Sequence, residues 1–86
     1  MYKDLEAQKE QILKENKGKA GIYKWINHTT GDIYIGSAVD LRKRLVYYFN
    51  YKYIAGYKNK SIIYSSILKN GYKSFNLEIL EYCDNK

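Results

Sequence analysis

The sequence has no proline, one cysteine and one histidine in 86 residues. The single cysteine, Cys83, excludes a disulfide within the chain and a zinc site built from several cysteines. The single histidine, His28, excludes a paired-histidine phosphodiesterase site. No apolar run approaches the length of a membrane span, and the N-terminus is too polar for a signal peptide. We therefore expect one small domain with no membrane partner.

Acidic residues are fewer than basic ones, nine against fifteen, which gives a formal net charge of +6. The chain also has eleven tyrosines. Lysine can neutralise phosphates and tyrosine can stack on bases, so the composition favours a nucleic-acid partner. A solubilising surface charge, with tyrosines filling the core, would give the same composition. Abundant Lys, Asn, Ile and Tyr beside scarce arginine indicate an A+T-rich genome, as in organelles or phages.

The spacing of apolar residues predicts the order helix, strand, strand, helix, helix, strand. The predicted elements are a helix over 4–16, strands over 21–27 and 33–36, helices that begin at Asp40 and near Ile62, and a strand over 75–82. This order predicts an α+β fold, in which a small three-stranded antiparallel sheet is flanked by helices. The segment 50–60 has no clear period and is predicted to be a connection.

The first two predicted helices differ in how much apolar surface they offer. Residues of the first helix that could pack are Leu5, Ala7, Ile12 and Leu13. This thin face predicts a helix that lies loosely on the domain or belongs to a longer upstream context. The apolar residues of the second helix recur on one face and are Leu41, Leu45, Tyr48 and Phe49. We expect that face to cover the hairpin.

Turn residues at 28–32 join the first two strands into a predicted hairpin. A four-residue turn would place Trp25 opposite Tyr34 and Tyr23 opposite Gly36. Tyr23 and Tyr34 would then be diagonal neighbours on one face of the sheet. Glycine inside a strand often marks the close approach of a ligand or another backbone, so Gly36 indicates either a binding surface or a helix that crosses closely.

Both arginines of the chain, Arg42 and Arg44, lie on the second predicted helix. The guanidinium fork matches phosphate oxygens, so this clustering favours phosphate recognition. Tyr48 follows Arg44 by one helical turn on the same flank. Tyr23, Tyr34, Arg44 and Tyr48 could therefore surround one phosphate. The spacing does not choose between the two arginines, and a solvated face with salt bridges would show the same pattern.

The order of motifs resembles the GIY-YIG nuclease family. The tripeptide GIY at 21–23 is followed after ten residues by YIG at 34–36, then by Ser37-Ala38 and a charged helix. The resemblance continues through KNGY at 69–72 and the strand FNLEILE at 75–81. It implies an N-terminal helical extension over 1–18 and a nuclease domain over 19–86 that lacks its C-terminal part after the third strand.

The resemblance implies a metal-dependent endonuclease domain that hydrolyses DNA phosphodiester bonds. It makes Tyr23, Tyr34 and Arg44 catalytic, and the fourth catalytic candidate is Tyr48, which stands where some relatives carry a histidine. It gives structural roles at the site to Gly21 and Gly36. We expect Lys24, Ser37, Arg42 and Lys43 to contact nucleic acid. The sequence resembles in particular the group I intron-encoded homing endonucleases of fungal mitochondria, which implies a mitochondrial location, with phage or bacterial cytoplasm as the alternative.

The implied cofactor is a divalent metal, with Mg²⁺ as the first choice. The family's metal-binding glutamate belongs to a helix after the third strand, so it is expected beyond Lys86. The alternative function is a catalytically degenerate module that binds RNA or DNA, for example in an organellar ribonucleoprotein. DNA is the expected partner and RNA the alternative, and the chain is expected to work within a larger protein or a ribonucleoprotein.

Overall fold

The computed structural model describes residues 1–83. The helices are α1 (Leu5–Glu15), α2 (Leu41–Phe49), α3 (Tyr51–Gly56) and α4 (Ile62–Asn70). The strands are β1 (Ala20–Asn27), β2 (Ile33–Ala38) and β3 (Phe75–Cys83). Single turns of 3₁₀ helix cover Lys58–Lys60 and Tyr72–Ser74. No helix in the described part of the chain is long and apolar enough to cross a membrane.

The three strands form one antiparallel sheet in the order β2-β1-β3, as the predicted fold class requires. Trp25 lies opposite Tyr34, and Tyr23 lies opposite Gly36, so the predicted hairpin register is confirmed. The Asn27 side chain fixes the turn, because its Oδ1 accepts hydrogen bonds from the main-chain nitrogens of Thr29 and Thr30, at 3.0 and 3.2 Å. A turn of fixed length thus sets the register along the whole hairpin.

The helices cover the face of the sheet that carries the aromatic residues of β1. Tyr23 and Trp25 are 2% and 0% exposed, and both belong to the main hydrophobic cluster. Ile33 and Ile35 on the opposite face of β2 are 56% and 66% exposed. The larger side chains therefore point into the core, where their burial contributes most to stability.

Helix α2 covers the hairpin as predicted. Asp40 caps it, because its Oδ1 accepts a hydrogen bond from the Lys43 main-chain nitrogen at 3.0 Å. Leu41, Leu45 and Tyr48 are buried on the face that meets the sheet. The two flanks of this face stay at the surface, which leaves the charged residues of the helix accessible.

Helix α1 is fixed to the domain and does not lie loosely on it. Leu5 and Ile12 are fully buried, although Ala7 is exposed. Preceding the helix, Tyr2 exchanges two main-chain hydrogen bonds with Leu77 of β3, at 2.7 and 2.9 Å. A few fully buried side chains and a strand-like bridge thus compensate for the thin apolar face that the sequence shows.

The segment 50–60 is helical, so its prediction as an irregular connection is wrong. Asn50 caps α3 by accepting a hydrogen bond from the Tyr53 main-chain nitrogen at 3.1 Å, and the 3₁₀ turn follows. Tyrosine combines an apolar ring with a polar hydroxyl, so a tyrosine-rich helix shows no clear amphipathic period. The observed order is consequently helix, strand, strand, three helices, strand, with α3 as the additional helix.

Strand β3 covers the predicted residues 75–82 and continues to Cys83. It contains a bulge where it pairs with β1. Ile22 lies opposite Glu81 and Tyr23 opposite Ile79, so one residue of β3 has no partner. Gly21 lies next to this bulge, where a Cβ atom would come within 2.4 Å of the Glu81 carbonyl oxygen. The structural role predicted for Gly21 thus has a physical basis, since any side chain would force the strands apart.

Candidate active site

Two tyrosines from different elements meet in the interior beside β2. The hydroxyl oxygens of Tyr23 on β1 and Tyr48 on α2 lie 3.2 Å apart. Their rings meet edge to face, with centroids 5.8 Å apart. Both side chains are buried, at 2% and 7% exposure. The pair is therefore held in one geometry by packing as well as by its hydrogen bond.

Burial raises the pKa of Tyr48, and the hydrogen bond with Tyr23 raises it further. The positive charge of Arg44 acts in the opposite direction and lowers this pKa. Tyr48 consequently stays protonated near neutral pH and can donate its hydrogen bond to the Tyr23 oxygen. Burial also raises the pKa of Tyr64, whose ring meets that of Tyr48 at a centroid distance of 5.2 Å.

Gly36 makes room for the Tyr23 side chain. A Cβ atom at this position would lie 2.6 Å from the Tyr23 hydroxyl oxygen and 2.7 Å from its ring carbon Cζ. The sequence indicated a ligand surface or a crossing helix above this glycine, and the ring of Tyr23 fills that space instead. Gly36 thus determines where the phenol of Tyr23 sits.

A cleft of about 390 Å³ opens at these phenols and is called the tyrosine cleft below. Its lining residues are Tyr23, Tyr34, Ile35, Gly36, Tyr48, Lys60, Ile62 and Ile63. The three predicted catalytic tyrosines therefore share one cavity. Within residues 1–83, Lys60 is the only charged residue that lines this cleft, so these residues give it a positive charge.

Lys60 is the residue that sequence reasoning missed. It ends the 3₁₀ turn before α4, in the segment that was predicted to be irregular. Its position at the cleft depends on how that turn packs against α3 and α4, for which the sequence has no periodic signal. The only local signal is that Ser61, the next residue, caps α4 through a hydrogen bond to its hydroxyl oxygen at 3.3 Å.

Arg44 lies at a neighbouring cleft, called the arginine cleft below, also of about 390 Å³. Its lining residues are Ala20, Gly21, Ser37, Ala38, Val39, Arg44 and Cys83. The four predicted catalytic residues are thus divided between two clefts. The clefts adjoin along β2, because residues 34–36 line one and 37–39 line the other. The charge of Arg44 still reaches Tyr48 and Tyr64, where it partly offsets the rise in pKa that burial causes.

The structure distinguishes the two arginines, which the spacing did not. Arg42 and Lys43 line a third cleft, together with Lys17 at the end of α1. This third cavity is called the α1–α2 cleft below. Arg44 lies one helical turn before Tyr48 on the same flank of α2. Of the two arginines, it is the one whose charge acts on the pKa of Tyr48.

Of the predicted nucleic-acid contacts, Ser37 lies at the arginine cleft, and Arg42 and Lys43 lie at the α1–α2 cleft. Lys24 lies on the open face of the sheet, where its Nζ is 3.3 Å from a carboxylate oxygen of Glu78. It is therefore separated by the sheet from the tyrosine cleft. Its contact with nucleic acid stays a prediction.

The described residues do not form a metal site by themselves. Within residues 1–83 no group of three or more His, Cys, Asp or Glu side chains could hold a metal ion. Among the described residues, those that line the tyrosine and arginine clefts include no carboxylate. The metal-binding glutamate expected after Lys86, and the end of the domain predicted at 84–86, lie outside the described residues.

The geometry and the motif order agree with similarities to known proteins. The family model for the GIY-YIG catalytic domain matches residues 19–86. The chain is also similar in structure to the catalytic domain of the intron endonuclease I-TevI, in a mutant that replaces one glutamate with alanine. The two chains are 32% identical with a TM-score of 0.59, and the match covers 79% of this chain and 68% of that one. No curated protein sequence matches significantly.

Proposed function

The chain belongs to the GIY-YIG family, and we propose that it is an endonuclease domain that hydrolyses phosphodiester bonds of DNA. The observation that carries this proposal is the hydrogen-bonded pair of Tyr23 and Tyr48 at a positively charged cleft, with Arg44 at the adjoining one. Such a site combines a group that can take a proton with cations that can bind a phosphate.

Arg44 is proposed to bind the phosphate that is cleaved. Its exposed guanidinium presents several N–H donors to solvent and matches two phosphate oxygens at once. As water attacks phosphorus, negative charge grows on the non-bridging oxygens, and a fixed guanidinium stabilises that charge. A phosphate at the boundary between the two clefts would meet Arg44 from one side and the tyrosines from the other.

Tyr23 is proposed to take the proton from the attacking water. For this step Tyr23 must react as a phenolate, and the Tyr48 hydroxyl, 3.2 Å away, can donate a hydrogen bond to its oxygen. The raised pKa of Tyr48 supports this direction of the bond, because it keeps the proton on Tyr48. The oxygen of water then bonds to phosphorus, the bond to the leaving oxygen breaks, and the leaving oxygen takes a proton from solvent.

Tyr34 and Lys60 are proposed to orient the reactants. Tyr34 lies on β2 at the wall of the tyrosine cleft, where its hydroxyl could hold water or a phosphate oxygen. Lys60 supplies a compact positive charge on the other side of the same cleft. Together they would keep an anionic substrate within reach of Tyr23.

We propose three further properties in more detail than the family membership gives. They are dependence on a divalent metal, coding within an intron, and a source in a fungal mitochondrion, a phage or a bacterium. The metal rests on the family resemblance, and its ligands would come from outside the described residues. The likeness to an intron endonuclease supports the second, and the A+T-rich composition supports the third.

The test is the nicking of supercoiled DNA by the purified chain with Mg²⁺, and with EDTA in its place. We expect wild type to nick, EDTA to stop the reaction, and Arg44→Ala to lower the rate by about 10²–10³-fold. The matched control is Lys69→Ala, which removes an exposed positive charge on α4 outside the three clefts. DNA or RNA binding without nicking under any metal would contradict cleavage by these 86 residues and favour the degenerate binding module.

A further inference from the structure

The α1–α2 cleft is a cavity of about 540 Å³ that is not part of the candidate active site. Its lining residues are Lys17, Gly18, Asp40, Arg42, Lys43, Val46 and Tyr47. Lys17 and Gly18 precede the residues that the family model matches. The cleft therefore combines a family helix, α2, with the N-terminal extension that the structure packs against it.

The charges of this cleft suit a phosphate. Lys17, Arg42 and Lys43 are exposed cations, and Asp40 is the only acid among the described residues that line the cleft. One oxygen of Asp40 is already engaged, because it accepts the capping hydrogen bond from the Lys43 nitrogen at 3.0 Å. Three cations against one capping carboxylate give a positive site, and Arg42 adds the fork that matches phosphate oxygens.

One wall of the cleft is an aromatic ring that is held in place by stacking. Tyr47 stacks on Tyr53 of α3, with centroids 4.5 Å apart and planes within 12°. Tyr53 in turn contacts Tyr57 at a centroid distance of 4.7 Å, and Tyr57 is 45% exposed. A ring fixed in this way loses little conformational entropy when a base stacks on it.

The position of the cleft on α2 separates it from the cleavage site. Arg42 and Arg44 are two residues apart, which is roughly 200° around a helix of 3.6 residues per turn. They accordingly line different clefts, on opposite flanks of α2. A nucleotide bound beside Arg42 is therefore not the one whose phosphate meets Arg44.

We infer that the α1–α2 cleft binds an unpaired nucleotide of the substrate, with its base on Tyr47 and its phosphate held by Arg42, Lys43 and Lys17. The nucleotide must be unpaired because the faces of a base inside a duplex are covered by its neighbours. This inference rests on the proposed function only in that the partner is a nucleic acid. It adds a preference for substrates with a single-stranded region near the cleavage site.

The test measures binding of a fluorescent single-stranded DNA of about 12 nucleotides and of a duplex of the same sequence, by anisotropy without Mg²⁺. We expect wild type to bind the single strand more tightly than the duplex. Tyr47→Ala should weaken single-strand binding by about tenfold, and Tyr47→Phe should restore it because the ring is kept. Arg42→Ala should weaken binding and reduce the salt slope by about one, while Lys69→Ala on α4 should have little effect.

Two results would overturn the inference. One is equal affinity for the single strand and the duplex. The other is unchanged single-strand binding in Arg42→Ala. Arg42 is exposed and does not belong to the Tyr47–Tyr53 stack, so this substitution leaves that packing intact.

Nicking measured in parallel separates this inference from the proposed function. If wild type never nicks but Tyr47→Ala loses single-strand binding, the proposed cleavage by this chain is contradicted and the nucleotide site is supported. Nicking by a wild type whose variants bind normally would overturn the nucleotide site alone.

Discussion

Helix α2 places a tyrosine at each of two clefts, in different surroundings. On the catalytic flank, which is the side of α2 with Arg44 and Tyr48, Tyr48 is 7% exposed and its hydroxyl meets that of Tyr23 at 3.2 Å. At the α1–α2 cleft, Tyr47 is half-buried and its ring stacks on Tyr53. Burial of a hydroxyl against another polar group suits proton transfer, whereas a fixed and accessible ring suits stacking on a base. The environment, more than the residue type, thus separates the two roles.

The difference between the two tyrosine environments is tested most strongly by removing one hydroxyl from the catalytic flank. Tyr23→Phe keeps the ring that fills the space above Gly36 but removes the proposed proton acceptor. We expect the nicking rate to fall by about 10²–10⁴-fold. The control is Tyr51→Phe, which removes a hydroxyl from a 62% exposed ring outside the three clefts. Similar nicking by both variants would contradict the role of Tyr23.

A single methyl group placed beside Tyr23 should disturb the same flank indirectly. Gly36→Ala puts a Cβ atom 2.6 Å from the Tyr23 hydroxyl oxygen, so the buried ring must shift, which disturbs its hydrogen bond with Tyr48. We expect about a tenfold to hundredfold loss of nicking and a destabilisation of about 1–3 kcal/mol, measured by urea unfolding. Gly56→Ala in α3 is the matched control, because its Cβ atom meets nothing within 4 Å. Equal effects of both changes would exclude the proposed contact.

The one cysteine of the chain allows the catalytic flank to be blocked chemically. Cys83 is exposed and lines the arginine cleft, so a bulky maleimide on its sulfur would hinder access to Arg44. We expect nicking to fall by about tenfold, the scale of one lost phosphate contact, with single-strand binding preserved. Cys83→Ser should nick normally and resist the reagent. A labelled protein that nicks at the unlabelled rate would show that the arginine cleft is not used.

Alkaline pH should affect the anchoring of the catalytic flank, with a smaller effect. Tyr72 donates a hydrogen bond from its hydroxyl to the main-chain oxygen of Tyr48. Burial raises the pKa of Tyr72 to about 12 from 10.0. Because the folded pKa is the higher one, this contribution to stability is complete below pH 10 and is lost as the pH rises through 12.

Unfolding by urea at several pH values checks this expectation. Between pH 10 and 12, Tyr72→Phe should lose less stability than wild type, by about 1 kcal/mol after allowance for partial exposure to solvent. Identical pH dependence in the two proteins would mean that the Tyr72 phenol does not hold the catalytic flank.

The hairpin register and the identity of the clustered tyrosines followed from the sequence, because a short turn and the two-residue period of a strand leave few alternatives. Helix α3 did not, since tyrosine counts as apolar and polar at once. The division of Arg44 and the tyrosines between two clefts, and the contributions of Lys60 and Lys17, depend on packing between distant segments. No local spacing records such packing.

The most direct measurement compares Arg44→Ala with Arg42→Ala in the nicking rate of DNA that contains a single-stranded region, over a range of protein concentrations. We expect Arg44→Ala to lower the saturated rate by about 10²–10³-fold. Arg42→Ala should instead raise the protein concentration for half-maximal rate by about tenfold. A saturated rate that falls equally in both variants would contradict the separation of cleavage from nucleotide binding across α2.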